Sequence, residues 1–517
     1  MNQKRREFLQ TTALGLTALA PLTSGAGKQG RKTWIDIGSR RELFVDDFLI
    51  ERFEGKAETR LHHPIPREIA IVHDAPWEGT SSGYHTVFQD GDLYRMYYRG
   101  SQLEVKDGRL ITNRHKTVYC YAESRDGIVW TKPALGRFEF NGSKQNNIVW
   151  DGVGTHNFTP FKDLRPNCPA EALYKGLGGL RGEGGLFAFK SPDGIHWSLM
   201  SDTPVITNGA FDSQNLAFWD PTLGKYRAYW RTFTQGTTTE KIWKPAGHRA
   251  IRTGSSSDFL NWGDEADLTY EDSPDEHLYT NQVKPYYRAP HILIGFPVRY
   301  IERGWSDSMR ALPEREHREM RAEANLRYGT AITEALLMAS RDGVRFKRWN
   351  EAFLRPGIER QDTWNYSQQF TAWHVVETKS ELKGAPNELS LYAKEGGWTG
   401  TSCAMRRYTL RLDGFVSVSA PMSGGVLATK PLTFSGRELR LNFATSAAGS
   451  IRVALRRPDG SPIPGYSMAD CNEVFGDTLD RAVTWKSGSD AGRLAGEPVR
   501  LHFQLKDADL YAFQFVD

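Results

Sequence analysis

Ser124-Arg125-Asp126-Gly127-Ile128-Val129-Trp130 is the first of a series. It returns as Ser191-Pro192-Asp193-Gly194-Ile195-His196-Trp197, as Ser256-Ser257-Asp258-Phe259-Leu260-Asn261-Trp262, and as Ser340-Arg341-Asp342-Gly343-Val344-Arg345-Phe346. A degenerate fifth copy stands at Arg411-Leu412-Asp413-Gly414-Phe415. Recurrence of this kind marks a repeated supersecondary unit. The Asp of such a turn accepts backbone N–H groups, and Gly takes the positive φ that other residues resist. The closing aromatic packs between units. These aspartates are therefore read as scaffold, in a turn between the third strand and the outermost one. Five copies predict an all-β chain whose body is a five-bladed β-propeller.

The residues ahead of each turn repeat one three-strand cadence. In the first unit Thr80–Phe88 and Leu93–Arg99 flank the turn Gln89-Asp90-Gly91-Asp92, and Thr117–Glu123 leads into the motif. Apolar and aromatic residues alternate with polar ones between Gly, Asp and Pro, which is strand-and-turn chemistry. The fifth unit offers Gln369–Val376, Glu388–Ala393 and Ala404–Leu410. The fourth is lengthened by Glu302–Arg327, an insertion in which Glu314–Arg327 reads as helical. After Val418 the Asp-Gly-aromatic turns cease, and Leu427–Phe434, Glu438–Phe443, Ser450–Leu455 and Val499–Gln504 alternate cleanly. This predicts a propeller over 67–418 and a C-terminal β-sandwich over 419–517. Residues 28–66 are expected to be a lead-in with one strand near Glu42–Leu49.

Lys4-Arg5-Arg6-Glu7-Phe8-Leu9, followed by an Ala/Leu/Thr-rich run and small residues to Gly27, reads as a twin-arginine-type signal peptide over 1–27. Its apolar run falls short of the roughly 20 residues a membrane span needs. The expected location is periplasmic or extracellular, with no membrane span. The formal net charge of +4 includes Lys4, Arg5 and Arg6 against Glu7, so the remainder is close to neutral. That argues against a nucleic-acid partner, which calls for a clustered basic face. Cys120, Cys168, Cys403 and Cys471 lack CxxC spacing, so metal ligation by them is not expected; a disulfide is permitted but not required. No motif calls for a cofactor, and a structural calcium is left open.

Ser256–Trp262 resembles the S-x-D-L-x-x-W turn of five-bladed glycosidases, the broad group of arabinanases, xylosidases, invertases and levanases. The order of propeller and sandwich resembles the invertase and levanase layout. The invertase W-M-N-D-P-N, R-D-P and E-C signatures are absent from their places, so the resemblance is to the superfamily and not to a member. It implies an oligo- or polysaccharide substrate and, most directly, glycoside hydrolysis.

In a propeller, residues just before each first strand and just after each second strand line one axial pocket. Those positions supply Glu78, Tyr84, His85 and Arg99 from the first unit, and His156 and Asn157 from the second. The third supplies Asp212, Gln214 and Arg231, the fourth Glu276 and Arg299, the fifth Trp364, Lys394 and Glu395. Hydrolysis needs one carboxylic acid to protonate the leaving oxygen and one carboxylate to attack or to activate water. Asp212, Glu78, Glu395 and Glu276 are the carboxylates expected to serve. Trp364 could stack on a sugar ring, and the arginines could fix hydroxyls or an acidic sugar's carboxylate. The alternatives are a polysaccharide lyase or glycoside phosphorylase on the same scaffold, or a non-catalytic carbohydrate-binding propeller.

Overall fold

The computed structural model describes residues 34–239, 241–398 and 403–517, so the leader expected over 1–27 lies outside the described residues. What is described is nearly all β and consistent with a β-propeller. Five sheets succeed one another as antiparallel meanders. The first runs Gly83–Asp90, Leu93–Gly100, Val118–Ser124 and Ile148–Trp150 from inner to outer strand. The second is Thr159–Lys162, Tyr174–Gly178, Phe187–Ser191 and Ser198–Leu199. The third has two long middle strands, Lys225–Thr238 and Trp243–Ser256, between Leu216–Asp220 and Gly263–Asp267. The fourth runs Lys284–Tyr286, Ala289–Gly295, Met338–Ser340 and Arg345–Arg348, with Thr269–Glu271 added in parallel at its outer edge.

The four full turn copies have one geometry. In each, the Ser Oγ accepts an N–H three residues on at 2.9 Å. The Asp Oδ1 accepts two further N–H groups at 2.8 to 2.9 Å. The turn carbonyls also tie neighbouring sheets together. Tyr97 of the first sheet donates to Gly194 O at 2.9 Å, Tyr229 of the third to Gly343 O at 2.9 Å, and Tyr392 of the fifth to Gly127 O. From the other side, Tyr94 reaches Glu377 O, Tyr174 reaches Asp90 and Tyr226 reaches Asp163. Gly194 has φ +80°, and a Cβ there would meet the Tyr97 hydroxyl at 2.7 Å. Gly194→Ala is expected to destabilise by roughly 1–3 kcal/mol, read as a lower urea midpoint with an unchanged m-value.

The fifth sheet shows why the fifth motif is degenerate. Its inner, second and third strands are Val376–Thr378, Glu388–Gly396 and Cys403–Arg411, but its outer strand is Ile65–Val72 from the far end of the chain. No outer strand follows Arg411, so no turn towards one is made. Asp413 is instead a buried joint that accepts from Tyr286 Oη at 2.8 Å, Arg288 Nε at 2.8 Å and Asn442 Nδ2 at 3.0 Å. The inner strand is also shorter than the expected Gln369–Val376, because Gln369 and His374 take positive φ.

The segment before residue 67 is not a mere lead-in. Glu42–Leu43, Ile50–Gly55 and Glu58–Leu61 all pair into the eight-stranded C-terminal sheet, and Ile35–Gly38 pairs with Leu432–Phe434. The two longest strands of that sheet, Glu438–Arg456 and Arg500–Val516, run antiparallel and are interrupted together near Thr445–Ser450. Phe443 and Phe513 from one limb share a single buried core with Val453 and Phe503 from the other. None of the four cysteines forms a disulfide. No helix among the described residues is long and apolar enough to cross a membrane.

Candidate active site

Loops ahead of the inner strands and the ends of the second strands meet at a cavity of about 320 Å³. Tyr84, Arg99, His156, Asp212 and Lys394 line it, as their strand positions predict. The second and third sheets pin the Asp212 loop by its backbone. Asn157 Nδ2 donates to the carbonyls of Phe211 at 2.5 Å and Ser213 at 2.9 Å, and Asn215 Nδ2 bonds the same two oxygens. Ser213 Oγ donates to Tyr279 O at 2.6 Å. The Asp212 side chain is thereby turned into the cavity, where it keeps 60 % of its exposure.

Asp212 Oδ1 lies 2.9 Å from His156 Nε2, and Arg231 Nη2 lies 3.8 Å from Oδ2. Burial works against the carboxylate charge, but the His156 hydrogen bond and the Arg231 charge outweigh it and hold Asp212 well below the usual carboxylate range. Burial, together with Arg99 and Arg231, pushes the His156 imidazole below its ordinary 6.5 against the pull of Asp212. A neutral ring that donates from Nε2 leaves Nδ1 as an acceptor, 3.5 Å from Arg99 Nη1. Arg99 also covers the face of Tyr84, 4.8 Å from its centroid.

Aromatic rings make up much of the remaining wall. Tyr279, Tyr366, Trp398 and Tyr328 follow one another at centroid spacings of 6.3, 5.7 and 4.4 Å. Tyr328 and the lining residue Arg327 come from the helical insertion, which forms Arg315–Ala324, breaks at Asn325 and resumes as Leu326–Thr330. The insertion therefore builds the cavity as well as lengthening the unit. No repeat signal marks these positions. Trp398, two residues beyond the end of the fifth sheet's second strand, is the one that strand position could have found.

The other candidates do not converge here. Glu78 is fully buried against Tyr98 Oη at 2.5 Å and Lys132 Nζ at 2.7 Å. Glu395 is 3 % exposed and held by Arg360 and Arg406. It faces away because neighbouring residues of a strand point to opposite sides, and Lys394 takes the cavity side. Glu276 is paired with Arg299 at 3.0 Å and Arg348 at 3.1 Å, so Arg299 is spent on carboxylates rather than on the cavity. His85 is buried 2.9 Å from His73, the same alternation having given the cavity face to Tyr84. Gln214 bonds the carbonyls of Tyr84 and His85, Asn157 carries the Asp212 loop, and Arg231 stands behind Asp212. Trp364 packs with Trp305 and Met309 under the insertion. Asp212 is thus the only carboxylate among the described lining residues, and the expected carboxylate pair is not brought together. Among the described residues no group of three or more His, Cys, Asp or Glu is arranged to hold a metal ion.

No protein-family model matches the chain, and no curated protein matches it either. Among solved structures it is similar to a protein described as a glycoside hydrolase, at 12 % identity and a TM-score of 0.41, over 68 % of this chain and 92 % of that one. It is similar to a thermostable family-43 glycoside hydrolase at 11 % identity and 0.39, over 68 % and 96 %. It is similar to an endo-arabinase from Bacteroides thetaiotaomicron at 10 % identity and 0.36, over 68 % and 97 %. At such identities the likeness does not extend to residue roles.

Proposed function

We propose that the chain is an exported carbohydrate-active enzyme, a glycoside hydrolase acting in the periplasm or outside the cell after twin-arginine-type export. In this reading the five sheets are the blades of a five-bladed propeller, and the bent C-terminal sheet is a two-layered sandwich. The observation that carries it is Asp212: an ionised carboxylate, held by His156 and Arg231, opening into a cavity walled by aromatic rings. Aromatic faces suit the C–H faces of sugar rings, and a carboxylate kept charged suits attack at the anomeric carbon or activation of water. A panel of oligo- and polysaccharides with products resolved by chromatography tests this. Saturated products support hydrolysis; saturable binding without products turns the reading to a binding module.

One observation favours elimination as a second reading. Asp212 and His156 form a dyad whose imidazole is neutral near pH 7, beside Arg99 and Tyr84, and no second carboxylate lines the cavity among the described residues. A neutral imidazole could take the ring proton of a uronate, which gives unsaturated products. The pH profile separates the two. His156 titrates below 6.5 and Asp212 lower still. If His156 is the base, kcat/KM falls as pH drops through the imidazole pKa, and His156→Gln abolishes that limb. If Asp212 acts directly, the rate stays level through that range, because His156 donates to it in both protonation states. Level behaviour with saturated products is the expected result.

A further inference from the structure

Three cations line the cavity, Arg99, Arg327 and Lys394, and among the described residues none has a carboxylate partner within ion-pair distance. Other cations of the same sheets are matched by carboxylates, Lys175 with Asp163 at 2.5 Å and Arg227 with Asp220 at 2.8 Å, whereas Lys284 rests on the His374 ring at 3.0 Å. Lys394 is the sharpest case. It is 3 % exposed, and its side chain bonds a neutral group, Ser367 Oγ, at 3.3 Å. Burial lowers its pKa, and the charges of Arg99 and Arg321 act in the same direction. Arg321 lies under Trp398, 4.5 Å from the ring centroid, with Nε and Nη2 unbonded. Arg99 Nε is buried without a partner too. The one carboxylate present, Asp212, is engaged by His156 and Arg231.

A desolvated cluster of like charges is costly unless an anion completes it. Guanidinium groups recognise carboxylate and sulfate oxygens through paired N–H donors, and an ammonium adds a point charge. We infer that the sugar bound in this cavity carries an anionic group, a ring carboxylate or a sulfate ester, received by Lys394, Arg99 and Arg327. The inference rests on the cavity being the sugar site. It narrows the substrates to acidic glycans and excludes neutral arabinans, xylans and fructans.

Titration calorimetry on the signal-free protein tests it, with galacturonate trimer, 6-sulfated galactose oligomers, neutral galactose trimer and inorganic phosphate as probes. At least one acidic oligomer is expected to bind tenfold or more tightly than the neutral trimer. Its affinity should fall at least tenfold in Lys394→Met and in Arg327→Met, a larger loss than either variant causes for the neutral trimer. Preference for the uronate assigns a carboxylate, and preference for the sulfated oligomer assigns a sulfate. Arg327 sits on the insertion, so its variant serves if Lys394→Met does not fold. Neutral binding that equals acidic binding and is lost in Trp398→Ala overturns the inference but keeps the cavity as a sugar site. Phosphate that saturates alone, with no acidic preference, also overturns it. Binding of no sugar removes the site and the inference together.

Discussion

Asp212→Asn is expected to lower turnover by about 10²- to 10⁴-fold, the range that a single positioned proton-transfer or charged group contributes, while the thermal midpoint moves by only a few degrees. The amide keeps the shape of the side chain and can still accept from His156 Nε2. It loses the negative charge on which attack or water activation depends. The side chain is more than half exposed and its loop is held by Asn157, Asn215 and Ser213 through backbone atoms, so little of the fold rests on the carboxylate itself. Turnover within fivefold of the parent on any glycan the parent cleaves would remove Asp212 from the chemistry. Asn157→Ala should behave differently, losing stability and activity together.

Glu78→Gln is expected to do the reverse, destabilising by about 3–5 kcal/mol, the cost of breaking a buried ion pair from one side, with kcat of the folded fraction unchanged. The Glu78 carboxylate is out of water, accepts from Tyr98, Lys132 and the N–H of Ala75, and has His73 close by. Burial opposes its charge, yet His73 and Lys132 bring its pKa down to about 2. A carboxylate depressed in the folded state adds stability that is whole above its unfolded pKa, near 4.3, and is lost as pH falls towards about 2. By linkage that contribution is about 3 kcal/mol. Urea midpoints between pH 6 and pH 3 should therefore slope in the parent and slope less in the variant. Equal slopes would mean that other carboxylates carry the acid sensitivity.

What could be read in advance follows from what each residue's chemistry constrains. The Ser-x-Asp turn needs an oxygen at two fixed positions and a residue tolerant of positive φ, so four copies stand out even where Phe259 replaces Gly. Asp413 carries the same letters, but its role is set by Tyr286, Arg288 and Asn442, partners distant in sequence. Tyr84, Arg99, His156 and Asp212 could be placed together at one cavity because strand ends fix which residues meet there. Glu395, one residue from Lys394, failed by the same period-two rule, since the pattern does not say which of two polar neighbours turns inward. Arg327 and Tyr328 were out of reach because the insertion has no counterpart in the other units. The origin of the fifth sheet's outer strand was hidden as well, because Ile65–Val72 resembles any other strand until its partner is known.

That strand has a consequence for the order in which the molecule can be made. Its hydrogen-bond partners, Cys403–Arg411, emerge from the ribosome only after four complete sheets, and the C-terminal sheet waits longer still for Arg500–Val516 to meet Glu42–Leu43. Until then Ile65–Val72 has no strand partner, and its open edge is a template for pairing with the wrong chain. The fifth sheet is complete only when a strand from before the first sheet meets one made after the fourth, so the growing chain stays open, and vulnerable, for most of its synthesis.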